Sequence, residues 1–275
     1  MGLLLMSGTL FAQQPIEMKV WPNGAPNDNG ITEEKNGDTD SPSYTKEAIL
    51  YVYPAKKGNG MAIVACPGGG YSHLAMAHEG KSMADWFNSQ GITYAVLRYR
   101  MPNGHREVPL EDAVEALRTM RRMSSELKID PARVGIMGFS AGGHLAAYTS
   151  NFADDADKPA FSVLFYPVIT GEAWLCHKGS FDNLLGADAS EAERAEYSLE
   201  TRVTSTTPPA ILLLSDDDTV VPPISSTRYY NALKKEGIEA SMHIYPTGGH
   251  GWGISEGFRY REAWQQALLD WLSLR

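Results

Sequence analysis

Short apolar runs alternate with amphipathic stretches along most of this chain. Positions 48–53 alternate well enough to predict an early strand. Positions 61–66 are almost uniformly apolar, as a strand buried on both faces must be. A helix is predicted over 81–88, ended at Gly91, and a strand over 92–98. The next helix, 109–127, places Leu110, Ala113, Val114, Leu117, Met120 and Leu127 on one face. Asp130-Pro131 then breaks the chain before the apolar run 134–137, which the helical stretch 143–149 follows. Positions 161–167 predict another buried strand. Over 171–209 the alternation pauses for a loop, an acidic helix-like segment at 189–197 and a Ser/Thr/Pro stretch, which together predict a lid-like insertion. Strand 211–214, helix 223–236, strand 240–245 and helix 258–274 complete the pattern, while 21–43 reads as loop. Strands alternating with helices predict an α/β fold over 20–275, a mostly parallel sheet with helices on both faces.

Composition narrows the function classes. The chain has 275 residues, 43% hydrophobic and 21% charged, ordinary for one globular α/β domain. A net charge of −9 repels phosphates and argues against a nucleic-acid partner. No run is long and apolar enough to span a membrane. At the start, Leu3-Leu4-Leu5-Met6 followed by Phe11-Ala12 predicts a signal peptide over 1–12, truncated at its basic end, and hence a periplasmic or secreted protein. Cys66 ends a predicted core strand and reads as a small buried residue, so no disulfide to Cys176 is expected. Neither cysteine has metal-ligand spacing, and no metal or other cofactor is expected.

The chemistry concentrates in four places. Gly138-Phe139-Ser140-Ala141-Gly142 lies between a predicted strand and a predicted helix, where a nucleophile elbow belongs. Alone, that pattern would arise by chance in about one chain in ten of this length. Asp218, in Asp216-Asp217-Asp218-Thr219-Val220-Val221-Pro222, and His250, in Gly248-Gly249-His250-Gly251-Trp252-Gly253, follow later strands. Both sit at the carboxyl ends of those strands, where open α/β sheets build their sites. A serine hydroxyl needs a base within reach, and the base needs a carboxylate on its second nitrogen. Asp216, Asp217 and Asp218 compete for that role; Asp218 is chosen because Val-Val-Pro anchors its loop. A calcium site is the alternative for the three aspartates, without a Gly-spaced ligand loop to support it. Pro67-Gly68-Gly69-Gly70-Tyr71 follows another strand and supplies the amides of Gly69 and Gly70, with that of Ala141, for an oxyanion hole.

Several other residues carry two readings. Tyr71, Trp174 and Trp252 line a substrate site or simply pack. His144 stands one helical turn from Ser140 and reads more readily as a core histidine. Arg98-Tyr99-Arg100 suits an internal ion pair. His78-Glu79 shapes a pocket or caps a helix.

Pro67–Tyr71, Gly138–His144, Asp218–Pro222 and Gly248–Gly253 together resemble the α/β-hydrolase carbohydrate esterases of the acetyl-xylan-esterase-like (endo-xylanase B-like) group of gut and rumen bacteria. Leu97–His105 and Tyr166-Pro167-Val168-Ile169 add to the likeness, which runs from about Val20 onward. The resemblance implies an α/β-hydrolase fold and an esterase that removes acetyl groups from plant polysaccharide or oligosaccharide. Pro67 stands where the broader lipase pattern has a histidine. Glycoside hydrolysis needs paired carboxylates across the scissile bond, whereas these motifs build an acyl-transfer site. Two other readings share the fold: a serine exopeptidase of prolyl-oligopeptidase type, which the loop residues before position 48 equip with no extra domain, and a catalytically inactive carbohydrate-binding relative. The expected partner is a small-molecule or polysaccharide ester, with oligomeric state left open.

Overall fold

The computed structural model describes residues 14–35 and 38–275. The signal-peptide expectation for 1–12 lies outside the described residues. Eight strands form one sheet: β1 (Ile16–Lys19), β2 (Ile49–Tyr53), β3 (Ala62–Cys66), β4 (Thr93–Arg98), β5 (Val134–Phe139), β6 (Ser162–Phe165), β7 (Ala210–Ser215) and β8 (Ala240–Tyr245). Their spatial order is β1-β2-β4-β3-β5-β6-β7-β8. β2 runs antiparallel to both β1 and β4, and every other pairing is parallel.

The helices are α1 (Ala84–Ser89), α2 (Glu107–Arg122), α3 (Ser124–Leu127), α4 (Ser140–Phe152), α5 (Lys178–Leu185), α6 (Glu191–Glu196), α7 (Pro223–Lys235) and α8 (Arg261–Leu272). α1 and α8 meet through Trp86 and Trp264, whose rings lie 5.2 Å apart. α2 packs on α4, and Asn151 of α4 bonds the Tyr229 hydroxyl of α7. Helices cover both faces, so every residue of β3, β4, β5, β6 and β7 is buried. The edge strand β8 is only partly buried, and Ile244 remains exposed.

Three expectations require correction. β1 falls before the predicted first strand. It is a short edge strand with Glu17 and Lys19 among its four residues, too brief and polar to register as a periodicity. α5 lies in a stretch read as loop; it begins at His177, whose Nδ1 accepts the Ser180 amide. The 109–127 helix is two helices, α2 and α3, and its buried face is rotated. Val108, Asp112, Ala113, Ala116, Leu117 and Met120 face inward, while Leu110 and Val114 are only partly covered. Asp112 turns inward because Arg100 makes charge-assisted bonds to it at 2.7–3.0 Å and Trp21 donates to it at 2.6 Å. Arg98 likewise pairs with Glu34 at 2.8 Å, so the Arg-Tyr-Arg run serves internal ion pairs as its residues suggested.

Candidate active site

The elbow is where sequence dictates geometry most directly. Ser140 opens α4 with φ +51, a left-handed backbone that costs a non-glycine residue about 1–2 kcal/mol. The turn is tight enough to press its neighbours together. A Cβ on Gly142 would lie 2.0 Å from the Cys66 carbonyl oxygen, and one on Gly138 would lie 2.0 Å from that of Gly142. Glycine at both positions is therefore a steric requirement. The turn leaves Ser140 at the carboxyl end of β5, in the middle of the sheet.

Asp218 and His250 arrive from neighbouring loops after β7 and β8. His250 Nε2 lies 2.8 Å from Ser140 Oγ, and its Nδ1 lies 2.6 Å from Asp218 Oδ2. A carboxylate only accepts, so Nδ1 carries the proton and Nε2 is left to receive the serine hydrogen. The other Asp218 oxygen accepts the amides of Val220 and Val221, both at 2.9 Å, which fixes the carboxylate plane. This is the anchoring expected of Val-Val. Asp217 is exposed and turns instead to the Gly249 amide at 2.7 Å, which holds its carboxyl below the usual range.

The glycine loop after β3 lies beside the serine. Gly69 has φ +125, and a Cβ there would lie 2.1 Å from the His73 carbonyl oxygen. Ala141 stands at the start of α4, where amides and helix dipole favour negative charge. Gly70 faces α5: Asn183 donates to its carbonyl oxygen at 2.8 Å. Among the described residues, no group of three or more His, Cys, Asp or Glu is placed to hold a metal ion, the three aspartates included. Cys66 and Cys176 are both free thiols.

The three candidate substrate residues separate. Tyr71 is buried; its hydroxyl bonds His144 Nδ1 at 3.0 Å and its ring packs edge-on to Tyr99. Trp252 is also buried, stacked on Phe258 at 4.0 Å with its N–H on the Ser215 hydroxyl. Both brace loops, and each also borders a cleft: Tyr71 one with Ile31, Tyr44 and Asn103, and Trp252 the one beside His250. Trp174 is 64% exposed, beneath the Arg228 guanidinium, and its N–H bonds Glu172. The cleft it lines, with Thr170, Glu191, Ala195 and Glu200, contains none of the three triad residues.

His144 is a core histidine. Its Nε2 faces the Tyr197 carbonyl at 3.1 Å and must donate to it, so Nδ1 accepts from Tyr71. Burial lowers its pKa from 6.5 to about 4. Below its ordinary pKa the unfolded chain therefore binds a proton that the folded chain refuses, and stability falls as pH falls from about 6.5 to about 4. This term is roughly 3 kcal/mol. Denaturant titrations at pH 7 and pH 4 should show a smaller loss for His144→Gln than for wild type; equal losses would refute the assignment.

Three more residues stand near the site: Glu79, read from sequence as shaping a pocket or capping a helix, Tyr166, read only as part of the resemblance, and His177, which the sequence reading missed. Glu79 is buried beneath the glycine loop, and burial raises its carboxyl above the ordinary range. Tyr166, with φ +35, lays its ring 4.8 Å from that of His250. His177 stands 3.7 Å from where a Cβ on Gly70 would be; burial and nearby His250 lower its pKa. A carboxylate eight residues after a glycine loop, and a Tyr-Pro ending a core strand, were the available signals.

Residues 81–274 match the model of the prolyl oligopeptidase family, Peptidase_S9. The chain belongs to that family. It is 42% identical over 230 residues to an acetylxylan esterase of Xylanibacter ruminicola, covering 82% of this chain and 48% of that protein. It is 34% identical over 204 residues to endo-1,4-beta-xylanase B of Butyrivibrio fibrisolvens, covering 69% of this chain and 32% of that protein. The chain thus spans about half the length, or less, of these curated relatives. The crystal structure of an acetyl ester-xyloside bifunctional hydrolase from Caldicellulosiruptor lactoaceticus superposes with TM-score 0.80 at 33% identity, covering 96% of this chain and 98% of that one. The fold is the α/β-hydrolase fold.

Proposed function

We propose that the protein is a serine carboxylic-ester hydrolase that removes acetyl groups from plant polysaccharide or oligosaccharide. The observation that carries this is the continuous line Ser140 Oγ, His250 Nε2, His250 Nδ1, Asp218 Oδ2, with gaps of 2.8 and 2.6 Å. In this reading Ser140 attacks the ester carbonyl while His250 takes its proton. The oxyanion is received by the amides of Ala141, Gly69 and Gly70. Gly68 is excluded, because its amide already donates to Glu79 at 2.9 Å. The leaving alkoxide takes the proton back from His250, so the sugar must lie on the His250 side. An open cleft of about 570 Å³ borders His250 there, with His78, Thr247, Ser255 and Arg259 in its wall. Water, activated by His250, then releases acetate from the acyl-enzyme.

The activities for which the relatives are named support acetyl esters on carbohydrate. The family also contains peptidases, so the deciding screen sets aryl acetates and acetylated xylan against aminoacyl arylamides. Hydrolysis of the arylamides in preference to the esters would favour the peptidase reading. A periplasmic or secreted location belongs to the same proposal, supported by Leu3-Leu4-Leu5-Met6 and the small residue Ala12. Cell fractionation with N-terminal sequencing tests it.

Acyl size gives a sharper test. In this reading the acyl group lies beside Gly70, where α5 brings the polar residues His177, Ser180 and Asn183. A hydrophobic acyl pocket gains about 1–3 kcal/mol per fitted methylene; this lining offers no such gain. We expect kcat/KM to fall from acetate to butyrate and again to octanoate aryl esters. Octanoate used as well as acetate would indicate a general esterase or lipase.

A further inference from the structure

We infer that Glu79 and Tyr166 are positioning residues that lock the oxyanion loop to the histidine loop. The inference deepens the esterase reading and rests on it. Glu79 is 3% exposed, and both its carboxylate oxygens are used. Oε2 accepts the Gly68 amide at 2.9 Å, and Oε1 accepts the Tyr166 hydroxyl at 2.8 Å. The direction of the second bond is forced. A carboxylate only accepts, so the Tyr166 hydroxyl donates its one hydrogen to Glu79, while its oxygen receives the Gly253 amide at 2.9 Å. A single hydrogen-bonded chain therefore runs from Gly68, next to the oxyanion donors, through Glu79 and Tyr166 to Gly253, three residues beyond His250.

Two further contacts tie the same parts. The Ile254 amide donates to the His78 carbonyl at 3.1 Å, so the backbone before Glu79 also grips the histidine loop. The Val168 amide donates to the Ser140 carbonyl at 3.0 Å, so the segment carrying Tyr166 is tied to the elbow. The Tyr166 ring meanwhile lies 4.8 Å from the imidazole and 5.0 Å from Trp252. Neither Glu79 nor Tyr166 exchanges a proton in the reaction. Glu79 holds the Gly68 amide away from the hole, which sets the aim of the two amides that follow. Tyr166 sets the distance between that loop and the base.

Such a pair acts on the transition state more than on substrate binding. Losing one oxyanion donor costs about a hundredfold or more in kcat, and a misalignment of an ångström costs a comparable amount. Glu79→Gln keeps the volume but supplies a single acceptor oxygen for two donors. We expect its kcat for an aryl acetate to fall about a hundredfold with KM within about threefold of wild type. Tyr166→Phe keeps the ring and removes only the hydroxyl; a fall in kcat of about tenfold is expected. Because the two act through one another, the double variant should be no slower than Glu79→Gln alone. If Glu79→Gln does not fold, as judged by circular dichroism, Tyr166→Phe carries the test.

An active wild type with folded variants within about twofold of its kcat overturns this inference and leaves the esterase reading standing. So do losses that multiply in the double variant, or losses that appear in KM alone. A wild type that neither hydrolyses aryl acetates nor labels with a fluorophosphonate overturns both.

Discussion

Ser140→Ala should lower kcat for an aryl acetate by about a million-fold, leaving only the rate that binding and the oxyanion amides supply. The substitution removes one oxygen. The Cβ is retained, so the left-handed backbone at φ +51 is no worse for alanine than for serine, and melting temperature should be unchanged. The site offers no replacement nucleophile in line with His250: Nε2 has the serine oxygen as its partner, and Nδ1 is committed to Asp218. Fluorophosphonate labelling should disappear with the activity. Near-normal turnover, in protein shown free of contaminating esterase, would remove Ser140 from the mechanism and with it the proposed function.

Much of this site was legible because the elbow, the glycine loop and the histidine loop are each made by backbone geometry that only certain residues tolerate. Gly138 and Gly142 are written into the sequence by contacts of 2.0 Å, and the order of serine, aspartate and histidine follows from the order of the strands that carry them. Core strands such as β3 and β7 were legible because burial on both faces leaves an uninterrupted apolar run. What failed to show depends on partners distant in sequence. The buried face of α2 turns on Asp112, whose burial makes sense only once Arg100 and Trp21 are beside it. The packing of Tyr71 and Trp252 turns on His144, Ser215 and Phe258, partners that no local pattern names. For Glu79 the pocket-shaping reading was legible but its partners were not: it accepts from Gly68 and from Tyr166, and the latter lies 87 residues away.

The choice among the three aspartates can be put to a test with a large and asymmetric outcome. Asp218→Asn should cost about ten-thousandfold in kcat/KM, the scale of the corresponding change in serine proteases. The asparagine oxygen can still accept the Val220 and Val221 amides, so the loop has no reason to move. What then faces His250 Nδ1 is an amide NH2 group, which donates. Nδ1 must become the acceptor, the proton shifts to Nε2, and Nε2 can no longer receive the hydrogen of Ser140. The fold survives while the tautomer is wrong. Asp217→Asn alters no such choice. Its carboxylate is exposed and accepts from backbone amides, that of Gly249 foremost, which an asparagine oxygen can accept equally. Its loss should stay within about threefold, as for a surface substitution. Steady-state kinetics on one aryl acetate at a single pH compares the two variants directly. Greater damage from Asp217→Asn would mean that His250 swings to the exposed carboxylate during turnover, and Asp218 would then be a loop anchor only.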